Sequence, residues 1–111
     1  MQLTFKKQGS TLIVSLRGEL DHHNAAKIRE ELDRRFNSSG AVNLILNFQD
    51  LKFMDSSGLG IIIGRYKIVS ALGGKTLIAA PGDQTKRIMA LAGIGKIISV
   101  TGSVEEAVGQ I

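Results

Sequence analysis

The chain is organised around one stretch, Phe53-Met54-Asp55-Ser56-Ser57-Gly58-Leu59-Gly60-Ile61-Ile62-Ile63-Gly64-Arg65-Tyr66. An apolar run ending at Phe48 precedes it, and an apolar pattern of helical spacing continues from it. This order predicts a helix that follows a strand, with a carboxylate, two hydroxyls and a glycine at the junction. The first N–H groups of a helix lack partners within the helix, and its start carries a partial positive charge. The junction therefore suits either a helix cap or a phosphorylated serine.

The residues before this stretch predict a β-hairpin and a helix. Residues 2–7 alternate and residues 11–17 are rich in β-formers, and Gly9 can provide the turn between them because glycine adopts positive φ. Residues 18–21 are predicted to end the second strand. Asp21 is a good N-cap for the helix that follows, whose apolar residues recur at helical spacing.

That helix is predicted to end at residue 36, before a strand at residues 42–48 that is buried on both faces. Residues 50–52 are predicted to form a short surface loop. The main helix then presents one apolar face and stops at two consecutive glycines. The residues of that predicted face are Leu59, Ile62, Ile63, Tyr66, Val69 and Leu72.

The remaining chain predicts a strand, a helix, a last short strand and a final helix. The first three of these cover residues 75–80, 84–92 and 97–100. In the helix we expect Ile88 and Leu91 to point inward. The final helix begins at a capping box, Ser103-Val104-Glu105-Glu106.

The elements therefore follow the order ββαβαβαβα. A hairpin followed by βα alternation predicts an α/β fold with a mixed sheet, antiparallel at its start and then parallel with right-handed crossovers. At 111 residues the chain has the size of one domain, and we expect residues 1–111 to form it as a monomer.

Composition limits the classes of function. Hydrophobic residues make up 43% and charged residues 22%, and no apolar run approaches the length of a membrane span, so we expect a soluble cytoplasmic domain without a membrane partner. Because cysteine is absent, disulfides, thiolate metal sites and cysteine nucleophiles are excluded. The net charge of +4 is spread along the chain and aromatic residues are few, which favours a solvated basic surface over nucleic-acid binding.

The sequence contains no pattern that clearly predicts a catalytic, metal or cofactor site. A serine nucleophile needs a base, but the only two histidines, His22 and His23, are adjacent and expected to point in different directions, and the strained Gly-x-Ser-x-Gly elbow is absent. The two histidines also lack the further ligands that zinc requires. Gly58, Gly60 and Gly64 match a dinucleotide fingerprint only imperfectly, and tight packing of a helix on a sheet explains Gly60 and Gly64 equally well. We expect neither an enzyme nor a bound metal or cofactor.

Two interpretations of Asp55-Ser56-Ser57-Gly58 remain open on spacing alone. In the first, one serine caps the helix and Asp55 only complements the helix dipole. In the second, one serine caps while its neighbour stays free for modification. In either case Gly58 and Gly60 would let another backbone or a ligand approach closely.

Two segments together resemble the anti-sigma factor antagonists of the STAS domain family. They are Gly18-Glu19-Leu20-Asp21-His22-His23 and Phe53-Met54-Asp55-Ser56-Ser57-Gly58-Leu59-Gly60, continued by Gly64-Arg65-Tyr66-Lys67. The resemblance spans essentially the whole chain, and the first segment favours the sporulation branch over the general-stress branch. A general-stress or other partner-switching antagonist is the alternative, and a passive STAS ligand-binding or scaffold domain is a further one.

The resemblance implies a binding switch and not an enzyme. In this family the unmodified antagonist binds an anti-sigma factor with a histidine-kinase-like ATPase fold and so frees a sigma factor. The anti-sigma factor is also a serine kinase that phosphorylates the antagonist, and a metal-dependent serine phosphatase restores it. The family's phosphoacceptor directly follows the aspartate, which implies Ser56 here and leaves Ser57 as the structural hydroxyl.

The resemblance also implies a set of partner-binding residues around this serine. They are Glu19, Asp21, Asp55, Ser57, Gly58 and Gly60. Glu19 and Asp21 would lie beside the serine and offer carboxylates to a basic patch on the partner, although capping explains Asp21 equally well. Asp55 would position the backbone and help to hold the serine.

Overall fold

The chain forms one mixed sheet with helices on both faces, in a computed structural model that describes all residues, 1–111. The strands are β1 Gln2–Gln8, β2 Thr11–Leu20, β3 Asn43–Asn47, β4 Leu51–Met54, β5 Thr76–Ala79 and β6 Ser99–Thr101. The helices are α1 Ala25–Ser39, α2 Ser56–Ala71, α3 Asp83–Leu91 and α4 Val104–Gly109, with a 3₁₀ turn at Ile94–Lys96. The predicted order of elements is confirmed, and β4 is an addition to it.

The sheet has the mixed character that the sequence predicts. Its order is β1-β2-β3-β5-β6, with β4 pairing to β2 off this path. Strand β1 is antiparallel to β2, and the other pairs are parallel. Gly9 has φ of 59° in the hairpin turn, as expected.

Strand β2 is longer than predicted, because residues 18–21 do not end it. Gly18 adopts φ of 115° and the register shifts between Gly18 and Glu19, so the strand passes through a bulge and continues to Leu20. The continued part pairs with β4, so the surface loop predicted at residues 50–52 is also wrong. Leu51 is buried, and β4 leads directly toward α2.

The predicted inner faces of two helices are confirmed in part. In α2, Ile62 and Val69 are buried, and the predicted Leu59, Ile63 and Tyr66 pack partly buried against the core. Helix α2 buries Gly58, Ile61, Ile62, Arg65 and Val69, and Leu72 lies beyond its end with 56% of its surface exposed. In α3 Ile88 packs partly buried against the core, as predicted, whereas Leu91 is 90% exposed. The fully buried residues of α3 are Thr85 and Met89. Three consecutive isoleucines at 61–63 fit more than one apolar stripe, so spacing alone does not fix the rotation of α2.

Helix ends follow local capping rules. Helix α1 runs on to Ser39, past the predicted end at residue 36, and Gly40 closes it with φ of 72°. Ser103 caps α4 as predicted, since its hydroxyl oxygen accepts a hydrogen bond from the Glu106 N–H at 3.1 Å, while the Glu106 carboxylate accepts one from the Gly102 N–H instead of the Ser103 N–H.

The core lies in two layers on either side of the sheet. A cluster of 20 buried apolar residues lies between the sheet and α1, α2 and α3, and a cluster of 5 lies under α4. Strand β3 contributes to both, with Leu44 in the first and Ile45 in the second, which confirms that it is buried on both faces. None of the helices combines the length and the hydrophobicity that a membrane-spanning helix needs.

Candidate functional site

The candidate site lies where β2 and β4 end side by side. Because these strands are parallel, their carboxyl ends meet at one edge of the sheet. The Asp55 N–H donates to the Leu20 carbonyl oxygen at 3.1 Å, so the turn after β2 is joined to the start of α2. The two segments that carry the family resemblance therefore meet here.

Asp55 is the N-cap of α2. Its Oδ1 accepts a hydrogen bond from the Ser57 N–H at 2.8 Å, and its Oδ2 accepts one from the His22 N–H at 3.0 Å. The same Oδ2 lies 3.4 Å from His22 Nδ1. The interpretation that a serine caps the helix is wrong, because the extended backbone of Asp55 places its carboxylate at the cap position.

The carboxylate of Asp55 is held in its ionised form. Partial burial tends to raise the pKa of Asp55, but the hydrogen bonds from the Ser57 and His22 N–H groups and from the His22 ring together lower it below the ordinary value of 3.8. The start of α2 therefore carries a fixed negative charge next to the two serines.

The two serines differ in accessibility. Ser56 is the first residue of α2 and is exposed, whereas Ser57 is half-buried and its N–H is already bonded to Asp55. Because Asp55 does the capping, the Ser56 hydroxyl is not needed for it. Ser56 is thus the accessible hydroxyl of the pair.

Glu19 and Asp21 lie on the segment next to β4, and their contact with a partner stays a prediction. Glu19 pairs in register with Phe53, and both side chains are exposed. Asp21 is half-buried, and its Oδ1 accepts a hydrogen bond from the His23 N–H at 2.9 Å. The N-cap position of α1 is Asn24, so the predicted cap at Asp21 is wrong: Asp21 stabilises the turn before the helix instead.

The glycines of α2 have different surroundings. Gly58 is buried, and a Cβ there would collide with the Met54 side chain and approach Leu20 Cδ2 at 3.2 Å. The close approach that Gly58 allows in this structure is to the chain's own core, and its contact with a partner stays a prediction. A Cβ at Gly60 or Gly64 would meet nothing within 4 Å, so tight packing on the sheet does not explain them. Gly60 is exposed, and its contact with a partner stays a prediction.

Two residues of the site were missed by the sequence analysis. His22 bonds to Asp55, and its ring lies beside that of His23 with centroids 4.0 Å apart, so the prediction that the two rings diverge is wrong. Gln84 of α3 bonds to the backbone of Met54 through both atoms of its side-chain amide. Neither contact leaves a signal in the sequence, because the partners are 33 and 30 residues apart. No group of three or more His, Asp or Glu side chains is placed to hold a metal ion.

The fold and this junction define the class of protein. The family description "STAS domain" matches residues 2–107, and the chain belongs to the STAS domain family. The resemblance of the two segments to this family is thereby confirmed.

Within this family, the chain is similar to several anti-sigma factor antagonists. The chain is 34% identical over 100 residues to the anti-sigma F factor antagonist of Paenibacillus polymyxa. The aligned residues cover 90% of this chain and 86% of that protein. It is similar to the solved structure of the anti-sigma factor antagonist SpoIIAA in its unphosphorylated form, with a TM-score of 0.84, 29% identity and coverage of 98% and 95% of the two chains. The Bacillus cell fate determinant SpoIIAA in its phosphorylated form gives a TM-score of 0.76 at 29% identity, with 98% of each chain covered.

Proposed function

We propose that this chain is an anti-sigma factor antagonist whose unmodified form binds an anti-sigma factor, and that phosphorylation of Ser56 ends this binding. The observation that carries the proposal is the exposed Ser56 hydroxyl at the first residue of α2, left unused because Asp55 caps the helix. The identity to the Paenibacillus polymyxa antagonist of an anti-sigma F factor supports a sporulation sigma factor as the one released.

The partners of the switch follow from the family resemblance. The anti-sigma factor has a histidine-kinase-like ATPase fold and acts as the serine kinase, and a metal-dependent serine phosphatase removes the phosphate. Both meet the chain in the cytoplasm. The docking surface around Ser56 includes the exposed side chains of Glu19 and Phe53 and the open backbone at Gly60.

The charge of the phosphate accounts for the switch. Phosphorylation adds about −1.5 to −2 charges and three acceptor oxygens at neutral pH. The start of α2 can accommodate this group, with a favourable dipole interaction of about 0.3–2 kcal/mol, so the fold need not change. At an interface that fits a neutral hydroxyl, the phosphate adds bulk, and its charge must be desolvated together with those of Asp55 and Glu19 when the partner docks, which costs several kcal/mol. Since about 1.4 kcal/mol changes an affinity tenfold, this cost is enough to release the partner.

The test uses the purified chain, the anti-sigma factor from the same genome, and ATP. We expect intact-protein mass spectrometry to show one added phosphate, and peptide mapping to place it on Ser56. Ser56→Ala should bind the anti-sigma factor and resist phosphorylation, whereas Ser56→Asp should bind at least about tenfold more weakly because of its charge. Ser57→Ala is the matched control and should still be phosphorylated. A phosphate mapped to another residue, or no modification, would reject the proposal.

A further inference from the structure

The outer edge of β4 is closed by a single side chain. Strand β4 pairs with β2 on one side only. On its other side Gln84 Oε1 accepts a hydrogen bond from the Met54 N–H at 3.0 Å, and Gln84 Nε2 donates one to the Met54 carbonyl oxygen at 2.9 Å. The amide of Gln84 thus takes the place that a peptide group of a neighbouring strand would occupy.

These two bonds lie at the residue from which the candidate site begins. Met54 is the last residue of β4, and its side chain is fully buried beneath Gly58. The N–H of the next residue, Asp55, is bonded to β2 through the Leu20 carbonyl oxygen. The end of β4 is therefore held on both sides, by hydrogen bonds to β2 on one side and by the Gln84 side chain on the other. Both bonds of the Gln84 side chain are partly buried, so their loss would leave backbone groups poorly paired.

Helix α3 is a firm support for this restraint. It buries Thr85 and Met89, and Met89 belongs to the larger core cluster. The position of the Gln84 backbone is therefore set by packing that does not depend on its side-chain amide.

We propose that Gln84 is a positioning residue for the phosphorylation of Ser56. This inference rests on the proposed function. Phosphoryl transfer depends chiefly on placing the attacking hydroxyl in line with the phosphate, and small displacements of a reacting group lower the rate steeply. The Gln84 amide holds the end of β4, and with it the Asp55 cap and the Ser56 hydroxyl, in one position. It acts through the backbone of Met54 and does not touch the phosphate.

The experiment compares Gln84→Met with a matched control, Gln110→Met. Gln84→Met keeps the length of the side chain and removes both hydrogen-bonding groups. Gln110 lies at the end of α4, and its Oε1 accepts a hydrogen bond from the Ser99 hydroxyl at 2.6 Å, on β6 at the opposite edge of the sheet. The control thus also removes a glutamine amide that is hydrogen-bonded to a strand, but that strand, β6, is separated from β2 and β4 by β3 and β5.

Two measurements are made on each variant. The first is the kinetics of Ser56 phosphorylation by the anti-sigma factor from the same genome with ATP, at varied concentration of the chain. For Gln84→Met we expect kcat to fall about tenfold while KM changes less than about twofold, because misplacement affects the transfer step more than docking. The second is hydrogen exchange of the Met54 amide by NMR, which should become about tenfold faster. Gln110→Met should change neither quantity.

The outcomes separate this inference from the function on which it rests. If the unaltered chain is not phosphorylated on Ser56, the proposed function fails, and the positioning role fails with it. If the unaltered chain is phosphorylated but Gln84→Met leaves kcat unchanged, or leaves Met54 exchange unchanged, the positioning role is overturned and the function stands. Should Gln84→Met not fold, Gln84→Glu replaces it; its ionised carboxylate can accept from the Met54 N–H but cannot donate to the carbonyl, and the same fall in kcat is expected.

Discussion

Asp55 shows how one residue can serve both the fold and the site. Its two carboxylate oxygens accept from N–H groups on α2 and on the turn after β2, so the side chain joins two segments that are distant in sequence. By taking the cap position it leaves the neighbouring Ser56 hydroxyl available at the surface. At the residue scale, Asp55 caps the helix, and Ser56 therefore stays accessible at the surface.

The charge of Asp55 gives a prediction about pH. Asp55→Asn retains a good N-cap but loses the ionised carboxylate. Hydrogen bonds lower the pKa of Asp55 in the folded chain below 3.8, so its charge contributes stability above that value, and the contribution is lost as the pH falls through the lowered folded value. We expect Asp55→Asn to melt at a lower temperature than the unaltered chain at about pH 7 and at nearly the same temperature at about pH 2. A difference in melting temperature that is the same at both pH values would contradict this.

At the scale of elements, two glycines of α2 have different surroundings, one in the core and one at the surface. Gly58 faces Met54 and Leu20 in the core, whereas Gly60 faces open space. They lie two positions apart on one helix, so substitution of each by alanine is a matched pair of changes in which only the surroundings differ.

We predict opposite effects on stability for this pair. Gly58→Ala should lower the free energy of unfolding by about 1–3 kcal/mol, because the buried Met54 side chain must move to admit a methyl group. Gly60→Ala should raise it by about 0.5–1 kcal/mol through helix propensity, and should weaken anti-sigma factor binding if the partner approaches there. Denaturant unfolding and a binding titration measure the two effects. Stabilisation by Gly58→Ala would show that the core around Met54 is not closely packed.

A second element-scale feature is the ion pair between α1 and α2. Arg65 Nε lies 2.9 Å from Asp33 Oδ1, with 8% of the arginine side chain exposed and 36% of the aspartate side chain. The N–H does not point at the carboxylate, and Nη1 has no hydrogen-bond partner. Burial lowers the pKa of Arg65, Asp33 opposes this, and the nearby Arg29 adds to it. Asp33 is therefore the group that compensates a buried charge.

Removal of that compensation should destabilise the helix pair. Asp33→Ala leaves the Arg65 charge uncompensated, and we expect a loss of about 1–3 kcal/mol, less than for a fully buried pair because water screens the exposed aspartate. Arg65→Met in the Asp33→Ala background should recover most of this loss, since it removes the buried charge. Denaturant unfolding of the two single variants and the double variant tests the prediction. A double variant less stable than Asp33→Ala would contradict it.

At the scale of the whole molecule, the switch is expected to leave the fold unchanged. In this chain Ser56 is exposed at the start of α2, where the helix dipole favours added negative charge. The neighbouring Asp55 charge opposes that gain in part.

We therefore predict that phosphorylation of Ser56 changes the free energy of unfolding by less than about 1 kcal/mol. Far-ultraviolet circular dichroism should be the same for both forms, while affinity for the anti-sigma factor falls. Ser56→Ala treated with kinase and ATP is the control. A phosphorylated form with reduced helix content would mean that the switch works by unfolding and not at the docking surface.

Features that depend on neighbours along the chain could be predicted from the sequence. Gly9 marked the hairpin turn, the apolar run at 42–48 marked a strand buried on both faces, and Ser103 marked the start of α4. The strand-to-helix change placed Ser56 at a helix start. Turn geometry, side-chain period and capping act over a few residues, so the sequence carries them in readable form.

Features that depend on partners distant in sequence became visible in the folded chain alone. Strand β4 has four residues, too few to show an alternating pattern, and it exists because the end of β2 pairs with it. Spacing predicted most of the inner face of α2, but only the layer beneath the helix decided that Ile61 and Arg65 are buried and that Leu72 is exposed. His22 on Asp55 and Gln84 on Met54 bridge 33 and 30 residues. Such contacts arise when the sheet brings segments together, and no local pattern records which side chains will meet.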